Sequence, residues 1–331
     1  MCYHLNISKT KRRIPIREVG NTRTLVPADQ EFKYKEKRRD IMKKSVIAAA
    51  LAATLVLGAL PFAAFADETE ASGDLEKITV AASSTPHAEI LEFAKPLLEE
   101  QGYDLETTVF DDYVQPNEVV DSGEFDANYF QHINYLNAFN QEHGTDLVDA
   151  GEIHYEPFGI YPGTKKSLDE VADGDVIAVP NDTTNEARAL MLLEANGLIK
   201  LADGATINAT KLDIVDNPNN LDIEEFDAEL VSQHTADAAF VVLNGNYALQ
   251  AGLNAGTDAL AVESADSDAI QQYVNVIAVK NGNENDPKIK ALVDTLKGDE
   301  VKKFIEDKYQ GAVVPFEGTV EASTEAETEA E

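Results

Sequence analysis

The stretch "VPNDTTNEARALMLLEANG", residues 179–197, places one guanidinium, Arg188, about a turn and a half into a helix whose N-cap is Asp182, Thr183 or Thr184. Thirteen lysines follow Ala66, but no other arginine does. A helix N-terminus already presents positive potential and free N–H groups, so a cation there is unfavourable unless an anion joins it. The preceding strand, "VIAVPN", delivers this helix end to the carboxyl edge of a sheet, where guanidinium and N–H groups can converge on one anion. Arginine rather than lysine suits a planar partner with two oxygens, such as a carboxylate. Two readings fit the spacing: an anion site for a ligand, or a structural ion pair in an acid-rich chain. The absence of any other arginine favours the first.

Two further constellations share polar and aromatic character. "DDYVQPN" supplies Tyr113, and "NYFQHINYL" supplies Phe130, His132 and Tyr135. The last three do not lie on one helical face, but a turn from strand end into helix would gather them around a point. Aromatic faces and edges around a small pocket suit an apolar or thioether side chain; packing within the core is the alternative. Asn185 precedes Arg188 by nearly a turn, Asn244 and Asn246 follow a strand in "VLNGNYA", and Asn275 sits inside the apolar strand "YVNVIAVK". An amide there needs a partner, either a hinge hydrogen bond or a ligand's amino or carboxylate group.

Catalytic spacings are missing. There is no G-x-S-x-G, H-E-x-x-H, C-x-x-C or Gly-rich phosphate loop, and His87, His132, His143, His154 and His234 are scattered, so neither a catalytic residue, a metal nor a cofactor is expected.

The elements that must position these residues alternate. "KITVAAS" reads as a strand leading into the helix "TPHAEILEFAKPLLEEQG", with Thr85 as N-cap, Pro86 at its first position and a kink at Pro96. "LETTVF" is the next strand, and a β-α-β start implies a parallel sheet. A helix is expected near "PNEVVDSG". "GEIHYEPFGIYPG", residues 151–163, is extended, as a strand crossing between domains would be. A second unit follows: a capping box at Ser167–Glu170, the strand "DVIAVPN", the Arg188 helix, strands at "LDIVD" and "AAFVVL" with a helix between them from about Ile223, and a returning strand "YVNVIAVK". Two amphipathic helices run from Asp286 to about Tyr309. The pattern predicts an α/β fold of two lobes, 75–155 with 275–316 and 156–274, joined by two crossover strands with a ligand cleft between them.

Of the chain's 27 basic and 60 acidic residues, 13 and 5 precede Asp67, so the remainder carries 14 and 55, a net charge of −41. That surface repels phosphates and anionic lipid headgroups, which argues against nucleic-acid and membrane-surface partners. Residues 42–66, "MKKSVIAAALAATLVLGALPFAAFA", have the basic start, apolar run and A-x-A end of a secretory signal peptide, with an uncleaved anchor as the alternative. Residues 1–41 read as an upstream extension, with Met42 as the expected start. Residues 67–74 and 317–331 read as acidic disordered spacers. The one cysteine, Cys2, lies before the expected cleavage point, so an exported body relies on its core rather than on disulfides.

"TPHAEIL", "DYVQPN", "FDANYFQHINYL", "VIAVPND", "NEARAL", "NGNYALQAGL" and "YVNVIAVK" together resemble the NlpA/MetQ family of methionine-binding proteins, the extracytoplasmic substrate-binding components of ABC importers. The resemblance covers nearly the whole folded body. It implies a two-lobed, type II-like periplasmic-binding-protein fold, a ligand that is methionine, a related amino acid or a methionine-containing dipeptide, and a monomer that delivers it to a permease and its ATPase. By motif, Tyr113, Phe130, His132 and Tyr135 would surround the ligand side chain. Arg188 would clamp its α-carboxylate, and Asn185, Asn246 and Asn275 would complete the polar end. Asn246 is preferred to Asn244 because it directly precedes the matched Tyr247. One departure stands out: "ALPFAAFAD" offers no lipobox cysteine for the family's usual lipid anchor. The protein is then released, held by an uncleaved anchor, or tethered by its transporter.

Overall fold

The computed structural model describes residues 75–263 and 271–318. The expected extension, signal peptide and first spacer, and all but the start of the tail, lie outside the described residues.

Strand β1 (Glu76–Ala82) buries Ile78, Val80 and Ala82 on one face and Ala81 on the other, the two-sided burial of a strand inside a parallel sheet. Helix α1 (Glu89–Glu99) lays Ile90, Leu91, Ala94 and Leu98 against it and leads to β2 (Tyr103–Val109), which pairs parallel with β1 from Glu76↔Tyr103 to Ala82↔Val109. Helix α2 (Gln115–Asp121), β3 (Ala127–His132) and α3 (Ile133–His143) follow, then β4 (Leu147–Tyr155). The chain next enters a second sheet with β5 (Gly159–Pro162), β6 (Val176–Pro180) and α4 (Thr183–Ala195). After a two-stranded ribbon, β7 (Lys200–Leu201) with β8 (Ile214–Asp216), come β9 (Asp222–Phe226), β10 (Phe240–Leu243), α5 (Gly245–Gln250) and β11 (Ala261–Val262). The chain returns to the first sheet as β12 (Val274–Lys280), followed by α6 (Pro287–Leu296), α7 (Asp299–Tyr309) and β13 (Val314–Pro315).

The first sheet has the order β13-β4-β12-β3-β1-β2 and the second β11-β5-β10-β6-β9. Each sheet is parallel where β-α-β units build it (β1 with β2 and β3; β6 with β9 and β10) and antiparallel where the crossing segments join. The fold is therefore α/β with two sheets linked by chain crossings after β4 and before β12. Each sheet has its own apolar core: Ile78, Leu98, Ile277 and Leu292 are among those on the first, and Ile160, Val179, Leu190 and Phe240 on the second. Among the described residues no helix is long and apolar enough to cross a membrane.

Three sequence expectations change. Thr85 is extended (φ −140°, ψ 139°) ahead of a cis Thr85–Pro86 peptide, and the α-helix begins at Glu89; Pro96 lies inside that helix. The region from Ile223 is not a helix but strand β9, because "DIEEF" pairs parallel with β6 and buries Ile223 in the sheet. "LDIVD" supplies β8 of the small ribbon rather than a strand of the second sheet.

Candidate ligand-binding site

The carboxyl ends of the strands face one cavity of about 310 Å³ of non-atom space, at the small end of the range for ligand sites. All eight residues singled out from the sequence line it: Tyr113, Phe130, His132, Tyr135, Asn185, Arg188, Asn246 and Asn275. Local geometry explains the convergence. β3 ends at His132, whose Nδ1 accepts the Tyr135 N–H at 3.0 Å and so caps α3, turning Phe130, His132 and Tyr135 toward a common point. Asp182 caps α4 by accepting from the Asn185 N–H at 3.0 Å, and its two oxygens hold the Asn185 side-chain amide at 2.9 and 3.0 Å.

One end is aromatic. Tyr113 stands 5.6 Å from Phe130, 5.5 Å from Tyr135 and 4.9 Å from Tyr247, with the rings tilted or edge-on, and Phe139 and Ala228 complete the buried cluster. The Tyr113 hydroxyl donates to Asn246 Oδ1 at 2.6 Å, and the Tyr135 hydroxyl to the Tyr113 carbonyl at 3.2 Å. Burial pushes the Tyr113 phenol well above its usual range, so it remains a donor.

The other end is made of amides. With Nδ1 of His132 used as an acceptor, its Nε2 carries the hydrogen and donates to Asn185 Oδ1 at 3.1 Å. Burial, and then Arg188, lower the His132 pKa to about 3, in keeping with a neutral ring. Asn185 Oδ1 also accepts from Asn244 Nδ2 at 2.8 Å. These bonds fix the amide orientations and leave two buried atoms without partners, Asn244 Oδ1 and Asn246 Nδ2. An acceptor and a donor are thus orphaned in one cavity, which is costly unless a polar ligand satisfies them.

Arg188 does not stand free. Its Nε donates to Glu263 Oε2 at 2.9 Å, and its Nη2 donates to Glu263 Oε1 and, at 3.1 Å, to the Glu156 carbonyl. The guanidinium lies between the rings of Phe158 and Tyr273, 4.6 and 4.0 Å from their centroids. Glu263 is itself anchored by the Tyr155 hydroxyl at 2.5 Å and the Phe158 N–H at 3.0 Å. Of the two sequence readings of this arginine, the structure shows the ion pair, through the Nε–Nη2 fork, and it also places Arg188 in the lining of the cavity. Burial lowers the Arg188 pKa, but Glu263 more than reverses this, so the guanidinium stays charged.

The sequence missed three other lining residues, Gln131, Glu156 and Gly245, and set aside a fourth, Asn244, in favour of Asn246, although both line the cavity. Glu156 Oε1 accepts from His154 Nε2 at 2.8 Å and lies 3.4 Å from His87 Nε2, which also bonds Asn275 Oδ1 at 2.9 Å. That bond is the partner Asn275 needs inside its strand. Asn275 Oδ1 and Glu156 Oε1 are acceptors, so Nε2 of His87 and of His154 bears the hydrogen, and their Nδ1 atoms accept from the Ser83 and Tyr129 hydroxyls. Burial lowers His87 to about 4 and His154 to about 3 and raises Glu156. The three donor atoms lie within 4.8 Å of one another, a grouping able to hold a metal ion only by giving up those hydrogens. Gly245 is required here: a Cβ would come within 2.6 Å of Glu156 Cβ and 2.8 Å of Oε2.

A family profile described as NlpA lipoprotein matches residues 78–317. The methionine-binding lipoprotein MetQ of Bacillus subtilis is 44% identical over 272 residues, covering 80% of this chain and 97% of the relative. A solved structure of a nutrient-binding protein from Burkholderia cenocepacia bound to methionine is 40% identical, with a TM-score of 0.69 over 72% of this chain and 99% of that one. An ABC transporter periplasmic substrate-binding protein from Coxiella burnetii is 37% identical, with a TM-score of 0.68 over 72% and 100%. These relatives share the fold across almost their whole lengths, and this chain belongs to the NlpA lipoprotein family.

Proposed function

We propose that this protein is the extracytoplasmic substrate-binding component of an ABC importer, exported to the cell envelope, and that it binds L- or D-methionine or a close relative. The observation that carries this reading is a single cavity with an aromatic end and an opposite end holding an orphaned donor and an orphaned acceptor. A thioether chain fits among Tyr113, Phe130, His132 and Tyr135. The α-carboxylate then faces Arg188 Nη1 and Asn246 Nδ2, with Asn185 and Asn275 ordering the amides around it. Glu263 restrains the guanidinium, so the proposed clamp is ordered before any ligand arrives.

Closure follows from the same contacts. The lobes are 75–155 with 275–316 and 156–274, and Tyr113–Asn246 and His132–Asn185 bonds span them. A ligand touching both lobes stabilises the closed arrangement, which then docks on a permease driven by its ATPase. The protein acts as a monomer and catalyses nothing.

Calorimetry of the purified protein against amino acids and methionine dipeptides, with chromatography of the recovered ligand, tests this. Methionine should bind best and return unchanged. Failure of every amino acid to bind would remove the reading, and turnover of a bound ligand would make the protein an enzyme. Arg188→Ala should weaken methionine binding by about 2–5 kcal/mol.

A further inference from the structure

A second concavity borders the ligand cavity where α3 meets α4, a solvent-open groove enclosing about 1440 Å³ of non-atom space. Asn134 and Thr184 line it, one or two residues away from His132 and Asn185 of the ligand cavity. Its lining is unusual for so acidic a chain. Among the described residues it has no charged and no aromatic side chain, but six carboxamides. Asn140 is taken up by the Leu147 backbone and the Thr145 hydroxyl. The side chains of Asn137, Gln141, Asn208 and Gln272 make no hydrogen bond among the described residues, and Asn134 Nδ2 is shut off from solvent without a partner. A shielded donor left unpaired is costly until something supplies an acceptor.

We infer that this groove docks an extended, uncharged segment of the permease and holds it by its main chain. The inference rests on the importer reading above and adds to it the surface and the chemistry of contact. Each carboxamide offers two N–H donors and an acceptor, which match the C=O and N–H of a peptide group. Asn134, Asn137 and Gln141 share one face of α3, and a rise of about 1.5 Å per residue spreads them over about 10 Å, the reach of about three extended residues. A charged segment would find no counter-charge there, and a sugar no ring to stack on. The groove also depends on closure. α3 belongs to one lobe, whereas Thr184 and Asn208 belong to the other, so opening the cleft separates the walls and breaks up the set of partners. A segment bound here prefers the closed, loaded protein, and by linkage favours that form in return.

The test uses the permease and its ATPase in nanodiscs, with wild type, the double variant Asn137→Ala/Gln141→Ala, and Asn208→Ala. Alanine is the better helix former, so the α3 variant should fold, and none of these positions lines the ligand cavity, so methionine affinity by calorimetry should stay within about twofold of wild type. Docking of the methionine-loaded double variant, read as the protein concentration giving half-maximal ATP hydrolysis, should weaken by about tenfold, the loss of two hydrogen bonds. Asn208→Ala should weaken it in the same direction from the other lobe. A photoreactive probe on Gln141→Cys should label a permease loop. Variants that dock at wild-type strength, or labelling of lipid or ATPase alone, overturn the inference while leaving the importer reading intact. A wild type that stimulates no ATP hydrolysis is a different result, and contradicts the importer reading and the inference together.

Discussion

Arg188 joins stability and binding in one side chain. Removing it leaves the partly buried Glu263 without its cation, so Arg188→Ala should lower unfolding free energy by about 3 kcal/mol in urea titrations, besides abolishing the clamp. Unaltered stability would mean that the Glu263 pair contributes little. Affinity should be compared only in variants shown to be folded. Phe130→Ala acts at the other end: it should change the ranking of methionine, norleucine and leucine, whereas Arg188→Ala should weaken all three. Identical behaviour of the two variants would refute the division of the cavity into aromatic and polar ends. The rarity of arginine in an acidic chain made Arg188 visible in the sequence, the aromatic and asparagine clusters stood out beside it, and motif resemblance supplied their expected roles. Glu156 and Glu263 were not visible. Nothing local distinguishes them among 55 carboxylates, and Glu263 meets Arg188 across 75 residues of sequence.

At the level of elements, the corners where strand becomes helix carry the site, and their caps are testable. Asp182→Ala removes the acceptor for the Asn185 N–H and releases the Asn185 side chain. It should cost about 0.5–2 kcal/mol of stability and weaken ligand binding as well. A loss of stability with unaltered affinity would show that the cap does not order the amides. β4 carries a separate electrostatic cost. Burial, and then Glu152, raise the Asp149 pKa to about 6. The folded state then holds a proton that the unfolded chain releases near 3.8, so stability falls as pH rises from about 4 to 6 and stays lower above. Asp149→Asn keeps an acceptor for the Gly151 N–H and should raise stability at pH 7 by about 1 kcal/mol, with no gain at pH 4. Urea titrations at both pH values decide this. Short runs rich in β-branched and other apolar residues made β1, β2, β6, β10 and β12 legible in advance. β9 was misread because "LDIEEFDAEL" spaces its apolar residues ambiguously, and parallel pairing with β6 settles its conformation. The start of α1 was misplaced because a good N-cap residue, Thr85, precedes a turn rather than the helix itself.

For the whole molecule, the two-sheet α/β architecture followed from repeated β-α-β patterning, while the closeness of the sheets' carboxyl edges is a tertiary property that spacing does not encode. Hydrogen bonds that span the cavity, Tyr113 to Asn246, His132 to Asn185 and the Tyr247 hydroxyl to the Asp111 carbonyl at 2.8 Å, favour a closed form. Ligand binding should add to them. The most direct test of the central claim is a crystal structure of the protein grown with selenomethionine as the ligand. The account predicts anomalous signal from selenium among Tyr113, Phe130, His132 and Tyr135, with the ligand carboxylate on Arg188 Nη1 and Asn246 Nδ2. Selenium outside that aromatic group, or a carboxylate that leaves Arg188 untouched, would contradict it.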